Sequence, residues 1–179
     1  MIKSWDYKNE YKYLKKDVLS IIDKVLKSGK LFFGKELSQF EKTFLKRNNS
    51  KYGVGVASGT DAIYLSLKAL DIGKNDEVIT VANTAIPTIA AIKNTGASVK
   101  FIDVGDDYLI DIKKIEQSIS NKTKAIVPVH LYGQSCDMDK ILKIAKKYKI
   151  KIIEDCAQAH GAMFENKFVG TFGDISTFS

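Results

Sequence analysis

The sequence has 179 residues, 45% of them apolar, which is enough chain for one buried core and too little for two independent ones. Its longest apolar runs, such as Ala125 to Val129, fall far short of the roughly 20 residues that cross a bilayer, and the opening segment is too rich in lysine and aspartate for a signal peptide, so a cytoplasmic protein without membrane attachment is expected. The net charge is +7, from 28 bases against 21 acids, yet Arg47 is the only arginine; phosphate and base recognition favour guanidinium forks, whereas dispersed lysines form solvated helix faces, so nucleic acid is not the expected partner.

Tyr11, Leu14, Val18, Ile21, Ile22 and Val25 recur at three- and four-residue steps among lysines, and Gly29 follows as a stop signal, which predicts an amphipathic helix. A second amphipathic segment carries Leu37, Phe40, Phe44 and Leu45, so residues 1–48 read as an N-terminal helical segment. Tyr11, Tyr13, Phe32 and Phe33 are read as core aromatics rather than as a substrate cleft.

From Tyr52 onward, short apolar runs alternate with amphipathic stretches. Strands are expected near 53–57, 77–81, 98–102, 124–129 and 150–154, with helices near 60–71, 85–94, 111–119 and 137–149 between them. That alternation implies parallel βαβ units in an α/β layered sheet. Gly73 and Gly96 are placed at helix C-caps. The stretch Gly161 to Gly173 reads as a hairpin or loop, and Ile175 to Phe178 as entry into another strand, in which the sequence ends at Ser179. Five parallel strands with no closing helix leave an open edge, so the expectation is one incomplete domain spanning 1–179, with 52–179 as its sheet portion, prone to poor solubility or non-native association.

Ligands of parallel α/β sheets sit at the carboxyl ends of strands. After 53–57 comes Ala57-Ser58-Gly59-Thr60-Asp61, where a helix start of small residues presents unpaired N–H groups to an anion such as a phosphate; simple capping by Ser58 or Thr60 is the plainer alternative. Gly53-Val54-Gly55 does not make a dinucleotide fingerprint, because its spacing to Gly59 is one residue too long and its first two glycines lie inside the expected strand. After 124–129 comes His130, a ligand, a base or a structural histidine. The strand 150–154 opens into Glu154-Asp155-Cys156-Ala157-Gln158-Ala159-His160-Gly161. Burying Asp155 is expensive without a cationic partner, so something positive should face it. A metal held by Asp155, Cys156 and His160 matches no common spacing, and Cys136 and Cys156 show no C-x-x-C pair.

Together these residues resemble the pyridoxal-phosphate-dependent sugar aminotransferases of the DegT/DnrJ/StrS family, which have the aspartate-aminotransferase fold. The resemblance runs from Tyr11 to the last residue. It is carried by Ser58-Gly59-Thr60-Asp61-Ala62, Gly73 to Ile79, Ile126 to Gln134, Glu154 to Gly161, and Gly173 to Ser179, in the family's order. It implies the large domain of PLP fold type I, a mostly parallel sheet flanked by helices, truncated at its C-terminus. It implies pyridoxal 5′-phosphate (PLP) or pyridoxamine phosphate (PMP) as cofactor, with Asp155 on the pyridine nitrogen, Ala157 beside the ring and Gln158 on the ring hydroxyl. Gly59, Thr60 and Ser179 would hold the phosphate. It also implies a nucleotide-linked keto-deoxysugar as substrate, an amino donor such as glutamate, and a homodimer with shared active sites.

Two departures follow from the same likeness. Relatives commonly carry an aromatic residue where this sequence has Ala85, which resembles a subset acting on dTDP-linked 3-keto-6-deoxyhexoses. The family's covalent lysine stands five residues after the serine equivalent to Ser179, so no catalytic lysine lies within the sequence, and the polypeptide as given is expected to be inactive as a transaminase. The alternatives are a dehydratase of the same family with a different base, and a non-catalytic nucleotide- or phosphate-binding α/β module.

Overall fold

The computed structural model describes residues 6–179; residues 1–5 of the N-terminal helical segment lie outside the described part. The chain forms two compact units, 1–44 and 45–179.

The first unit is built on helix α1 (Tyr7–Ser28) and most of α2 (Lys35–Arg47). Asp6 caps α1 by accepting from the Asn9 N–H, and Gly29 closes it in the left-handed conformation with its N–H on the Leu26 carbonyl. Both helices are amphipathic as expected, but neither buries a residue. The aromatics read as core are instead exposed, with Tyr13, Phe32 and Phe33 at 80%, 82% and 91%. A unit of this size has too little chain to enclose a core of its own.

In the second unit, β1 (Glu77–Val81), β2 (Ser98–Ile102), β3 (Thr123–Val127), β4 (Lys151–Asp155) and β7 (Ile175–Thr177) form a parallel sheet in the order β2-β1-β3-β4-β7. Helices α3 (Gly59–Ala69), α4 (Ile86–Asn94), α5 (Ile112–Ser118) and α6 (Met138–Tyr148) flank it. The period of two along each strand sorts the side chains into two cores. Val78, Ala125, Val127 and Ile153 pack with Ile63, Leu67 and Ile92 of α3 and α4. Ile79, Val81, Ile126 and Ile152 pack on the opposite face with Ile115, Met138 and Ile141 of α5 and α6. Both faces of the inner strands are therefore dry, which is why they read as unbroken apolar runs. Edge strand β2 is largely exposed and carries Lys100.

Three expectations are corrected. Residues 53–57 join no strand ladder among the described residues. Val54 there is 78% exposed, and an apolar run becomes a strand only where a neighbouring strand receives its N–H and C=O groups. Gly73 is not a helix C-cap; Leu70 ends α3, and Gly73 opens the next turn with its N–H on the Asp76 carboxylate. The stretch 161–173 does contain a hairpin, β5 (Met163–Phe164) with β6 (Lys167–Phe168), but its turn is Glu165-Asn166, both at positive φ, with no glycine.

Gly170 follows that hairpin at φ +88°, and an added Cβ would lie 2.6 Å from the Phe178 ring. Gly170→Ala combines left-handed strain with overpacking, and is expected to cost about 2–5 kcal/mol in urea denaturation. An unchanged midpoint would contradict this packing.

Candidate functional site

Strand β4 sends consecutive acids to opposite faces. Asp155 shares the α3/α4 side with Ile153, and Glu154 shares the α5/α6 side with Ile152. Asp155 is buried, and the loops beyond its neighbours hold its backbone: its N–H donates to the Pro128 carbonyl and its own carbonyl accepts from the His130 N–H. Its carboxylate accepts from the Thr88 hydroxyl at 2.8 Å on Oδ2 and from the Ala157 N–H at 3.2 Å on Oδ1. Both donors are neutral, and among the described residues no cationic side chain pairs with Asp155.

Glu154 is fully buried on the other face and surrounded by donors. Its Oε1 accepts from the N–H groups of Phe172 and Gly173, each at 2.7 Å, and its Oε2 from the Gly170 N–H at 2.7 Å and His130 Nε2 at 3.2 Å. His130 Nδ1 accepts from the Cys136 N–H, so the ring proton resides on Nε2 and points at the carboxylate. Burial pushes the Glu154 carboxyl up, but the bonds from His130, Gly173, Gly170 and Phe172 outweigh it and hold the group below the usual carboxylate range. His130 is thus a satisfied structural histidine.

Cys156 lies with His130 and Glu154 such that potential ligand atoms are within 4.8 Å of one another. The glutamate's lone pairs are already engaged, and burial pushes the Cys136 thiol up to about 12 and the Cys156 thiol up as well, so neither is a ready thiolate. The trio weighed for a metal, Asp155, Cys156 and His160, does not gather among the described residues; the His160 ring instead meets the Phe178 ring in a tilted contact, 5.4 Å between centroids.

At the start of α3, Ser58 caps the helix by accepting from the Asp61 N–H at 3.1 Å and donates to the Asp61 carboxylate at 2.9 Å. Ser58 thus has the capping role. Gly59 and Thr60 open the helix, where N–H groups have no intrahelical acceptor. A Cβ on Gly59 would stand 2.8 Å from Ser179 Cβ and 3.1 Å from its Oγ, so the helix start and the residue two beyond β7 touch only because position 59 lacks a side chain. Gln158 Oε1 accepts from the Tyr132 N–H at 3.0 Å, which leaves its amide NH2 to donate. Ala85 is exposed before α4, and its carbonyl accepts from the Thr88 N–H at 3.2 Å.

Thr88 and the Tyr132 backbone were not singled out from the sequence. The available signal for Thr88 was a threonine one turn into the helix that follows β1, the strand-to-helix position where ligands of such sheets bind. Nothing in side-chain pattern marks Tyr132, whose contribution is an N–H exposed by a left-handed backbone at φ 57°.

A buried carboxylate with only neutral donors, an amide with free donors and a glycine helix start against a serine fit a phosphorylated aromatic cofactor with a basic ring nitrogen. Sheet order, flanking helices and this donor set define the large domain of a PLP-type aminotransferase. The chain belongs to the DegT/DnrJ/EryC1/StrS aminotransferase family, whose model matches residues 12–179. It is 43% identical over 98% of its length to a dTDP-3-amino-3,4,6-trideoxy-alpha-D-glucose transaminase of Micromonospora megalomicea subsp. nigra, covering 47% of that protein. It is 48% identical over 92% of its length to a dTDP-3-amino-3,6-dideoxy-alpha-D-galactopyranose transaminase of Aneurinibacillus thermoaerophilus, covering 46% of it. Among solved structures it resembles NtdA from Bacillus subtilis with bound cofactor PMP, at a TM-score of 0.86 and 39% identity, covering 92% of this chain and 37% of that one. The chain therefore spans about half the length of the curated relatives it matches. Among the described residues no helix is long and apolar enough to cross a membrane.

Proposed function

We propose that a chain of the relatives' length containing these residues is a cytoplasmic, homodimeric PLP-dependent aminotransferase that aminates a nucleotide-linked keto-deoxysugar with nitrogen from a donor such as glutamate. Residues 1–179 then belong to one large domain. When bound, the cofactor supplies an electron sink for the carbanion formed beside the transferred nitrogen. In this reading the Gly59 and Thr60 N–H groups, the Thr60 hydroxyl and the Ser179 hydroxyl bind the phosphate, and the α3 dipole favours its charge. Asp155 accepts the ring nitrogen's proton in a hydrogen bond and so keeps that proton in place. Gln158 donates its amide hydrogen to the ring hydroxyl, while Ala85 and Ala157 border the ring faces.

The observation that carries this reading is Asp155, buried beside two neutral donors with no cation of its own among the described residues. PMP tests the cradle without needing a lysine, because it is held by non-covalent contacts alone. Titrating PMP into the 179-residue chain and following cofactor fluorescence should give saturable binding. Gly59→Ala, whose Cβ meets Ser179 at 2.8 Å, should weaken it by about tenfold or more, the equivalent of one charge-assisted hydrogen bond. Absence of saturable binding by the unaltered chain would sink the proposal.

A further inference from the structure

Two threonines link the loop that carries Ala85 to the carboxylate of Asp155. Thr88 and Asp155 are both buried, at 1% and 4% exposure, and their side chains meet at 2.8 Å. A carboxylate on a neighbouring hydroxyl receives that hydroxyl's only hydrogen. Thr88 Oγ1 also lies 2.9 Å from Thr84 Oγ1, and since its hydrogen is already engaged it acts there as the acceptor. The direction is therefore fixed: Thr84 donates to Thr88, and Thr88 donates to Asp155 Oδ2. Thr84 adjoins Ala85 in the connection between β1 and α4, and the Thr88 N–H holds the Ala85 carbonyl, so the same residue grips the loop by its backbone and the carboxylate by its side chain.

The consequence is geometric. With Oδ1 on the Ala157 N–H and Oδ2 on the Thr88 hydroxyl, the carboxylate plane is pinned at both ends and cannot rotate about its Cβ–Cγ bond without breaking one contact. Each oxygen retains a second lone pair, and the pinned plane determines where those lone pairs point. We infer that Thr88 is a positioning residue that aims the Asp155 carboxylate at the cofactor's ring nitrogen, and that Thr84 couples this aim to the conformation of the loop at Ala85. The inference rests on the proposed function above. It assigns to a hydroxyl chain part of the ring-orienting task at a site whose loop offers no aromatic side chain from Asn83 to Thr88.

The test uses PMP carrying nitrogen-15 in its ring, bound to the 179-residue chain. Its readouts are the dissociation constant and the ring-nitrogen resonance, which differs between protonated and unprotonated nitrogen. Thr88→Val keeps the volume and removes the hydroxyl. It should weaken PMP by about tenfold, as loss of one hydrogen bond to a charged group does, and move the resonance toward the unprotonated form. Thr88→Ser restores the donor and should return both readouts to within about twofold of the unaltered chain. Thr84→Val, at a half-buried position that tolerates change, should produce a smaller shift of the same sign and keeps the test available if Thr88→Val fails to fold. If PMP binds but neither valine variant moves the resonance, the positioning role is wrong and the proposed function stands. If the unaltered chain does not bind PMP, both fall together.

Discussion

Glu154→Ala is expected to destabilise the second unit by about 3–5 kcal/mol, the range for removing one partner from a buried charged network. The carboxylate is fully buried and accepts from the N–H groups of Gly170, Phe172 and Gly173 and from His130. Its removal leaves the buried His130 and the half-buried N–H groups of Gly170, Phe172 and Gly173 without their acceptor, and each orphaned donor costs up to about 1–3 kcal/mol before relaxation. The damage should concentrate in the 170–173 turn and β7, because Glu154 is what fastens that turn to the end of β4. Burial raises the carboxyl and the four hydrogen bonds outweigh it, so its pKa when folded lies below the ordinary value of 4.5. A group whose folded pKa is depressed contributes stability that is present above the unfolded value and lost as pH falls through the folded one. Urea denaturation should therefore show the gap between the unaltered protein and Glu154→Gln at its full size near neutrality and shrinking below about pH 4.5. A gap that stayed constant from pH 7 to pH 3 would show that the charge of Glu154 contributes nothing.

The contrast between Glu154 and its neighbour shows what the sequence makes legible. Inner strands β1, β3 and β4 were readable because both of their faces are dry, so Val78 and Ile79, or Ile152 and Ile153, are apolar in succession. Residues 53–57 carry a similar pattern, yet strand formation depends on a neighbour that residue spacing cannot reveal. Asp155 is legible as a site residue because a lone acid at the carboxyl end of an inner strand poses an electrostatic problem. Glu154 poses the same problem, but its solution is three backbone N–H groups from a turn more than a dozen residues away, and a backbone donor has no residue type to recognise. Thr88 is illegible in the sequence for a related reason. A threonine in a helix is ordinary, and only the approach of the first turn of α4 to the carboxyl end of β4 brings it to a carboxylate 67 positions later. Tyr13 is exposed because helical spacing reports that a face is apolar without reporting what covers it, and Phe32 and Phe33 are exposed because they lie in the connection between α1 and α2 rather than on a helix.

Asp155→Asn, made in a chain of the relatives' length, should lower kcat by on the order of a hundredfold or more while leaving the fold intact, the scale on which loss of one preorganised electrostatic contact acts. The amide has nearly the shape of the carboxylate. Its oxygen can keep the Ala157 N–H, and its NH2 can donate to Thr88, which then turns its own hydrogen elsewhere; the 2.8 Å and 3.2 Å contacts survive with one direction reversed. What does not survive is the negative charge, which in the proposed function keeps the proton on the ring nitrogen. Asp155→Ala removes the contacts as well and should add a stability loss that the asparagine variant lacks. The pair thus separates charge from packing. Steady-state rates with a keto-sugar nucleotide and glutamate, set beside thermal melts, should show both variants crippled and only the alanine variant loosened. An asparagine variant with ordinary turnover would mean that Asp155 is buried for structural reasons and that the proton on the ring nitrogen is held by some other group.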